Sequence, residues 1–162
     1  MTNLIMCLWS RRSVLGATVG TGVAAVRVAC GGKSESTVVG GRVNVGSVTD
    51  IRAALAGRQY VRSTEGRLFL LPATDNAVIA VSWHCTHLGC TLPPPNPATS
   101  GNIQCSCHGA VFDSKTGIRL SGPANRPLDY FHAVVESGNV IVDTNQVFTR
   151  AAFEVGQTAP LT

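Results

Sequence analysis

Two short segments decide the fold of this 162-residue chain: Cys85-Thr86-His87-Leu88-Gly89-Cys90 and Cys105-Ser106-Cys107-His108-Gly109. Each segment holds one cysteine–histidine pair at close spacing, Cys-x-His in the first and Cys-x-x-His in the second. Each also holds one further cysteine. A two-iron, two-sulfur cluster with cysteines on one iron and histidines on the other needs this set of ligands. The pattern therefore predicts an iron–sulfur centre built from both segments.

Zinc and plain disulfides are the alternatives. Two cysteines and two histidines also make a tetrahedral zinc site, but zinc proteins commonly pair their ligands as Cys-x-x-Cys and His-x-x-His. Here each segment mixes one cysteine with one histidine, and zinc gives no role to the two further cysteines. Disulfides alone would explain the cysteines but not the histidines. The spacing favours an iron–sulfur centre over both alternatives.

The two segments resemble the cluster-binding loops of the Rieske iron–sulfur proteins over residues 85–109. A weaker similarity lies at Gly122-Pro123-Ala124, which resembles the proline loop that covers the cluster in that family. The resemblance implies one [2Fe–2S] cluster as cofactor. The iron ligands that it implies are Cys85, His87, Cys105 and His108.

The resemblance also implies a disulfide between Cys90 and Cys107. Such a cross-link would meet a physical need of the chain. Residues 91–104 contain Pro93-Pro94-Pro95 and offer little regular structure to hold the second ligand segment. A disulfide would keep both ligand pairs facing one cluster.

The fold that the resemblance implies is all-β, with a Rieske-type antiparallel β-sandwich base. A small cluster-binding subdomain would run from about residue 84 to about residue 127, inserted between base strands. The sequence supports this class, because short runs rich in Val, Ile, Leu and Phe alternate with turn residues. The predicted strands are 42–45, 59–62, 67–71, 77–83, 111–113, 131–136 and 139–143. Ser137-Gly138-Asn139 predicts a hairpin, and residues 49–55 predict one helical turn capped by Thr49.

The chemistry expected of this centre is electron transfer. Neutral imidazoles donate less charge to iron than thiolates do, so replacing two thiolates raises the reduction potential. An exposed imidazole can also take up a proton together with an electron. The candidates for this entry point are His87 and His108, and the sequence does not choose between them. Because no nucleophile–base pair or open metal site is evident, we expect an electron-transfer subunit, for example of a quinol:cytochrome c oxidoreductase.

Two positions depart from the high-potential, quinol-oxidising members of the family. There a serine and a tyrosine follow the second ligand histidine, and their hydroxyls hydrogen-bond cluster and cysteine sulfur. Here these positions hold Ala110 and Phe112, which cannot donate. Hydrogen bonds to sulfur stabilise the reduced, more negative cluster. We therefore expect a lower potential, matched to menaquinol rather than ubiquinol.

Three functional classes compete. The first is a membrane-associated electron carrier with the quinol and cytochrome subunits of a bc-type complex as partners. The second is the Rieske small subunit of a periplasmic oxidoreductase such as the arsenite oxidase type, bound to a larger molybdenum subunit. The third is a ferredoxin for an aromatic-ring oxygenase. Such ferredoxins lack the two disulfide cysteines and are cytoplasmic, so Cys90 and Cys107 argue against this class.

The charge of the chain points to no nucleic-acid partner. The formal net charge is +4, but from Gly31 onward ten Lys or Arg stand against nine Asp or Glu, a balance of +1. The excess comes from Arg11, Arg12 and Arg27. Nothing suggests a nucleic-acid surface.

The N-terminus resembles a twin-arginine export signal. Arg11 and Arg12 precede a weakly hydrophobic run rich in Gly, Ala, Val and Thr. Residues 1–30 are therefore predicted to be a targeting segment, residues 31–37 a flexible tether and residues 38–162 the Rieske domain. Such export moves folded proteins, so the cluster would enter in the cytoplasm and the disulfide would form outside.

The fate of the targeting segment is left open between three outcomes. Val28-Ala29-Cys30-Gly31 resembles a lipoprotein processing site, with Cys30 as the lipidated residue, although Arg27 departs from that pattern. A retained anchor competes, but residues 13–26 supply only fourteen uncharged residues, about 21 Å of helix against about 30 Å of hydrocarbon. Simple cleavage is the third outcome. The expected location is the periplasmic side of the cytoplasmic membrane, as a lipoprotein or an anchored protein.

Overall fold

Ten β-strands and one α-helix are found in residues 41–96 and 101–162, the residues that this computed structural model describes. The predicted all-β class with antiparallel sheets is confirmed. The predicted targeting segment, the tether and Cys30 lie outside the described residues. The elements in chain order are β1 (Arg42–Ser47), α1 (Val48–Arg58), β2 (Val61–Ser63), β3 (Leu68–Thr74), β4 (Ala77–Ser82), β5 (Ile103–Gln104), β6 (Val111–Phe112), β7 (Arg119–Ser121), β8 (Tyr130–Glu136), β9 (Asn139–Phe148), a short 3-10 helix (Val155–Gln157) and β10 (Ala159–Pro160).

The base of the fold is one seven-stranded antiparallel sheet. Its strand order is β1-β9-β8-β4-β3-β2, and β10 pairs with the start of β4. Glu136 pairs with Asn139 across the two-residue turn of Ser137 and Gly138, so the predicted hairpin between β8 and β9 is confirmed. Short connections of this kind place strands that are neighbours in sequence side by side.

Strands β3 and β4 are buried on both faces. Phe69, Leu71, Ile79 and Val81 pack into one hydrophobic core, which also contains Cys85 and Cys105 of the two ligand segments. The alternate residues of the same strands pack into a second core with α1, β8 and β9. Burial on both faces explains why these strands are continuous apolar runs rather than alternating ones. The two strands are thus the floor on which the ligand segments rest.

A second sheet of three strands, β5-β6-β7, lies within the predicted subdomain interval of residues 84–127. The chain leaves the base at the end of β4 and returns at the start of β8, and these strands pair with each other. The backbone N–H of Ser82 donates to the carbonyl of Asp129 (2.8 Å). The two ends of the subdomain therefore lie side by side on the base.

The helix α1 corrects the prediction of a single turn capped by Thr49. It begins one residue earlier, at Val48, and its cap is Ser47, whose hydroxyl oxygen accepts from the backbone N–H of Asp50 (3.1 Å). It continues to Arg58 and ends where Gln59 takes a left-handed conformation. Among the described residues, no helix is both long and apolar enough to cross a lipid bilayer.

The strand bounds differ from the predicted ones where polar residues or long-range pairing decide. Strand β9 runs to Phe148, five residues beyond the prediction, because its end pairs with β8, where Tyr130 stands opposite Phe148. Strand β2 starts at Val61 instead of residue 59, since Gln59 ends the helix. The short strands β5, β7 and β10 were not predicted at all.

Candidate metal centre

The first ligand segment forms a tight loop, loop 1 (residues 85–90), which its own backbone closes. The N–H of Cys85 donates to the carbonyl of Cys90 (2.8 Å), and the N–H of Gly89 donates to the carbonyl of Cys85 (2.9 Å). Gly89 has φ of 75°, a left-handed conformation that glycine adopts without a steric penalty. The shape of the loop is therefore specified by its own backbone.

The second ligand segment, loop 2 (residues 105–110), repeats this backbone. The N–H of Cys105 donates to the carbonyl of Ala110 (2.8 Å), the N–H of Gly109 donates to the carbonyl of Cys105 (3.0 Å), and Gly109 has φ of 72°. Position by position, Cys105 matches the first cysteine of loop 1, whereas His108 stands one place later in its loop than His87 does. The two different Cys–His spacings are therefore placed on one and the same backbone turn.

The two thiols that the sequence singled out meet in the interior. Cys85 and Cys105 are free, 3% and 2% exposed, and lie next to each other in the same core. Burial raises the pKa of the Cys85 thiol, and the neighbouring Cys105 raises it further, while backbone N–H groups of His87 and Leu88 act in the opposite direction. Two adjacent buried thiolates need a compensating cation, which a metal ion supplies.

The two imidazoles also meet. The ring centroids of His87 and His108 are 4.9 Å apart, with the ring planes nearly perpendicular. His108 is exposed, whereas Nδ1 of His87 is buried and has no hydrogen-bond partner in the structure. A buried polar atom without a partner is costly, and a metal ion satisfies such a nitrogen. Each loop thus supplies one thiol to the sulfur pair and one ring to the imidazole pair.

The predicted disulfide between Cys90 and Cys107 is present, with the two Cα atoms 6.6 Å apart. The sulfur atoms of Cys90, Cys105 and Cys107 lie within 4.8 Å of one another, so the disulfide sits beside the Cys105 thiol. This trio is not a metal site, because two of its three sulfurs are already bonded to each other. The disulfide instead joins loop 1 to loop 2 beside the Cys105 thiol.

Cys90→Ser is expected to weaken cluster retention without removing an iron ligand. The disulfide closes a chain segment of 17 residues, and a cross-link of that size stabilises a protein by about 3 kcal/mol. Thermal bleaching of the visible absorption of the purified protein would measure the effect. Cys107→Ser should behave in the same way, since it breaks the same bond. Equal rates of bleaching in Cys90→Ser and in the parent protein would contradict this role.

These features fit a [2Fe–2S] cluster of the Rieske type. Two free, adjacent thiols and two adjacent imidazoles are the donor set such a cluster needs, and the unpartnered Nδ1 of His87 needs a ligand from outside the protein. The donors come from two loops that share the same pattern of backbone hydrogen bonds, and the disulfide joins these loops. The other two histidines are not part of this donor set: His84 is exposed and directly precedes loop 1, and His132 is exposed on β8.

Three of the residues singled out in the sequence, Ala110, Phe112 and Gly122, lie in or next to loop 2. Ala110 and Phe112 are fully buried in the same core as the two thiols. Gly122 lies against the backbone of Ala110, close enough that a side chain at this position would overlap it. Pro123 is exposed next to it, and Ala124 returns into the core. The loop that contains these residues therefore covers loop 2.

Two features of loop 1 were not predicted. The hydroxyl of Thr86 donates to the carbonyl of Arg126 (2.9 Å), which ties loop 1 to the segment that returns to the base. Leu88 is 68% exposed, although it is a large apolar residue between the ligand histidine and the loop glycine. Neither has a sequence signal of its own, because a threonine and a leucine at these positions are also compatible with a purely local role.

Comparisons with known proteins agree with this centre. A profile of the Rieske [2Fe-2S] domain matches residues 41–135. The cytochrome b6-f complex iron-sulfur subunit of Synechococcus sp. (strain WH7803) is 30% identical over 130 residues, which cover 78% of this chain and 69% of that protein. Iron-sulfur subunit 2 of the same complex from Trichormus variabilis is 41% identical over 63 residues, 39% of this chain and 34% of that protein.

Several matches to such subunits are partial. Subunit 1 from Nostoc sp. (strain PCC 7120) is 34% identical over 84 residues, and the chain covers only 42% of its length. Among solved structures, the plasma membrane Rieske protein of Synechocystis PCC 6803 aligns with a TM-score of 0.48 and 32% identity, covering 62% of this chain and 97% of that one.

Proposed function

We propose that this chain, which belongs to the Rieske [2Fe-2S] family, takes electrons from a menaquinol-like quinol and passes them to a cytochrome. It is an iron–sulfur electron-transfer protein related to cytochrome b6-f iron-sulfur subunits. When bound, the cluster accepts and releases one electron at a time. Cys85 and Cys105 would hold one iron, and His87 and His108 the other. The chain's own residues decide where partners approach and how the cluster is held.

The observation that supports the proposal is that the thiol ligands are buried whereas the imidazole side of the site is exposed. The thiols are 2–3% exposed, whereas His108 is exposed and Leu88 beside His87 is 68% exposed. A partner can therefore reach the imidazole end of the site but not the thiol end. An exposed imidazole N–H can hydrogen-bond a quinol oxygen and move a proton, and Leu88 offers apolar contact to a quinone ring or its pocket. His87 and His108 are the entry candidates.

The proposed low potential rests on two buried positions. Ala110 and Phe112 are fully buried in the core that contains the thiols, and neither side chain has a hydrogen-bond donor. Backbone N–H groups of His87 and Leu88 interact with the Cys85 sulfur, but no hydroxyl is supplied by residues 110 and 112. Fewer hydrogen bonds to sulfur leave the reduced, more negative state less stabilised. A quinol of low potential, such as menaquinol, suits such a centre.

Ala110→Ser combined with Phe112→Tyr is expected to raise the midpoint potential by about 100 mV, a fraction of the range that Rieske centres span. The physical reason is that the two hydroxyls would donate to sulfur in the reduced state. Potentiometric titration followed by electron paramagnetic resonance measures the shift. Ala110→Val with Phe112→Leu is the matched control, because it changes the same buried positions without adding a donor. An unchanged midpoint in the Ser/Tyr variant would remove this explanation of the potential.

The location belongs to the same proposal. The twin-arginine pattern at Arg11 and Arg12 supports export, and the disulfide beside the cluster site supports an oxidising compartment. The N-terminal segment would hold the chain at the periplasmic face of the membrane, by lipidation of Cys30 or as a retained anchor. The b6-f relatives support a bc-type complex as the assembly in which the chain works.

The test uses the full chain purified from membranes of its own cells. We expect a rhombic Rieske signal with a midpoint that falls as pH rises, faster reduction by a menaquinol analogue than by a ubiquinol analogue in stopped-flow mixing, and reoxidation by a co-purifying c-type cytochrome. Reduction by ubiquinol alone would overturn the choice of quinol. Co-purification with a molybdenum subunit and no cytochrome would replace the proposal with the small-subunit role in a periplasmic oxidoreductase.

A further inference from the structure

Arg150 is a buried cation whose hydrogen-bond partners are all uncharged. It follows β9 and is 8% exposed. Its Nε donates to the carbonyl of Leu128 (2.9 Å), one terminal nitrogen donates to the carbonyl of Thr116 (2.5 Å), and the other donates to Oε1 of Gln157 (3.0 Å). The ion pairs found in the described part of the chain join Arg42 to Glu136 and Arg126 to Asp129, and none involves Arg150.

The three partners belong to three different segments. Thr116 lies in the turn between β6 and β7, Leu128 in the segment that returns from the cluster subdomain, and Gln157 in the C-terminal 3-10 helix. Gly117 leaves room for the guanidinium, because a Cβ there would lie 2.9 Å from Nη2 of Arg150. Arg150 thus fastens both the β6–β7 turn and the return segment to the C-terminal end of the base.

The charges of Arg150 and its charged neighbours Asp129 and Arg126 do not sum to zero. Burial lowers the pKa of its guanidinium, whereas Tyr130 and Asp129 act in the opposite direction. The Asp129 carboxylate is already bound by both terminal nitrogens of Arg126. Arginine keeps its proton in proteins, so the group of Arg126, Asp129 and Arg150 carries a net charge of +1.

This group is connected to the ligand loops by short contacts. The backbone carbonyl of Arg126 accepts the hydrogen bond from the hydroxyl of Thr86, the neighbour of Cys85, and the backbone carbonyl of Asp129 accepts from the N–H of Ser82 at the end of β4. Leu128, the acceptor for Nε of Arg150, packs in the same core as the two thiols. The buried cation is therefore joined through Leu128 to the core that contains the two thiols.

We propose that Arg150 is a positioning residue that fixes the cluster subdomain on the base, and that its buried positive charge raises the reduction potential of the centre. Reduction adds one negative charge to the site. A cation in the protein interior interacts with that charge at a lower effective dielectric than a surface cation does, and salt screens it less. This increase in the reduction potential opposes the decrease that we expect from the absence of hydroxyl groups at Ala110 and Phe112.

The test compares three variants of the full chain: Arg150→Met, Arg150→Lys and Arg42→Met. Arg42 is exposed and paired with Glu136 on the surface, so its replacement removes the same formal charge far from the interior. In potentiometric titrations followed by electron paramagnetic resonance, Arg150→Met should have a lower midpoint than the parent, and this shift should persist at high salt. Arg150→Lys and Arg42→Met should stay close to the parent. A parental midpoint in folded Arg150→Met, or an equal fall in Arg42→Met, would overturn the electrostatic role.

The anchoring role has its own readout. Amide hydrogen exchange of residues 113–128 should speed up in both Arg150→Met and Arg150→Lys, because neither side chain can donate to all three acceptors, and it should not change in Arg42→Met. If Arg150→Met does not fold, Arg150→Gln takes its place, since glutamine is neutral and still donates one hydrogen bond. Unchanged exchange in both Arg150 variants would contradict the anchoring role. The result does not depend on which quinol or cytochrome is the partner.

Discussion

His87→Ala is expected to yield a protein without an iron–sulfur cluster. Nδ1 of His87 is buried and has no hydrogen-bond partner among the described residues, and its ring lies 4.9 Å from that of His108, so an iron ligand is the role that fits it. Alanine would leave one iron with an open position in a partly exposed site, and the cluster would be lost during purification. The measurement is the iron and acid-labile sulfide content per chain, together with the electron paramagnetic resonance spectrum after reduction.

The chain contains four histidines, and His132 provides the control for this substitution. His132 is exposed on β8, away from the loops, and His132→Ala should keep both the iron content and the spectrum of the parent. His108→Ala should lose the cluster as His87→Ala does. Full iron content in His87→Ala would contradict the ligand assignment and would favour a site built around the thiols alone.

Gly122→Ala is expected to destabilise the protein by about 3 kcal/mol or more, from backbone strain together with overpacking. Gly122 has φ of 86°, and a Cβ there would lie 2.6 Å from Cα of Ala110 and 2.8 Å from the carbonyl oxygen of Gly109. Those are backbone atoms, so no side chain can rotate away to make room. The covering loop would have to lift from loop 2, which exposes the centre. Chemical denaturation and the rate of cluster bleaching would both report the loss.

Gly138→Ala separates the two sources of this loss. Gly138 also has a positive φ, 76°, but a Cβ there would meet nothing within 4 Å. Its replacement should therefore cost only the conformational penalty, about 1–2 kcal/mol, and should leave cluster bleaching unchanged. If the two variants lost the same stability and bleached alike, the close contact between the covering loop and loop 2 would have no energetic role.

The metal centre could be predicted from sequence because its information is local. Each ligand loop is closed by hydrogen bonds between residues four and five positions apart, so residue type and spacing already specify it. The disulfide was implied by the resemblance of the same two segments to the Rieske family. Strands β3 and β4 were equally predictable from the sequence, because four successive apolar residues, Leu68–Leu71, are typical of a strand that is buried on both faces.

The rest depends on contacts that no short window of sequence contains. Strand β7 consists of three exposed residues, Arg119–Ser121, and exists because it pairs with β6. Strand β10 ends in Pro160, a residue that argues against a strand, yet it pairs with β4 at the edge where a proline is tolerated. Arg150 is a single charged residue between Thr149 and Ala151 with no sequence signal of burial, and only the folded chain shows that three distant segments supply its acceptors.

The side-by-side placement of the two ends of the cluster subdomain has a consequence for how such proteins can diversify. Val81 on β4 pairs with Tyr130 on β8, and residues this close on paired antiparallel strands need only a short hairpin to join them. Everything between those strands is thus a cassette with adjacent ends. Its length can therefore change without a change in the register of the base strands. The part that packs on β3 and β4 has to be kept, because it shares their core.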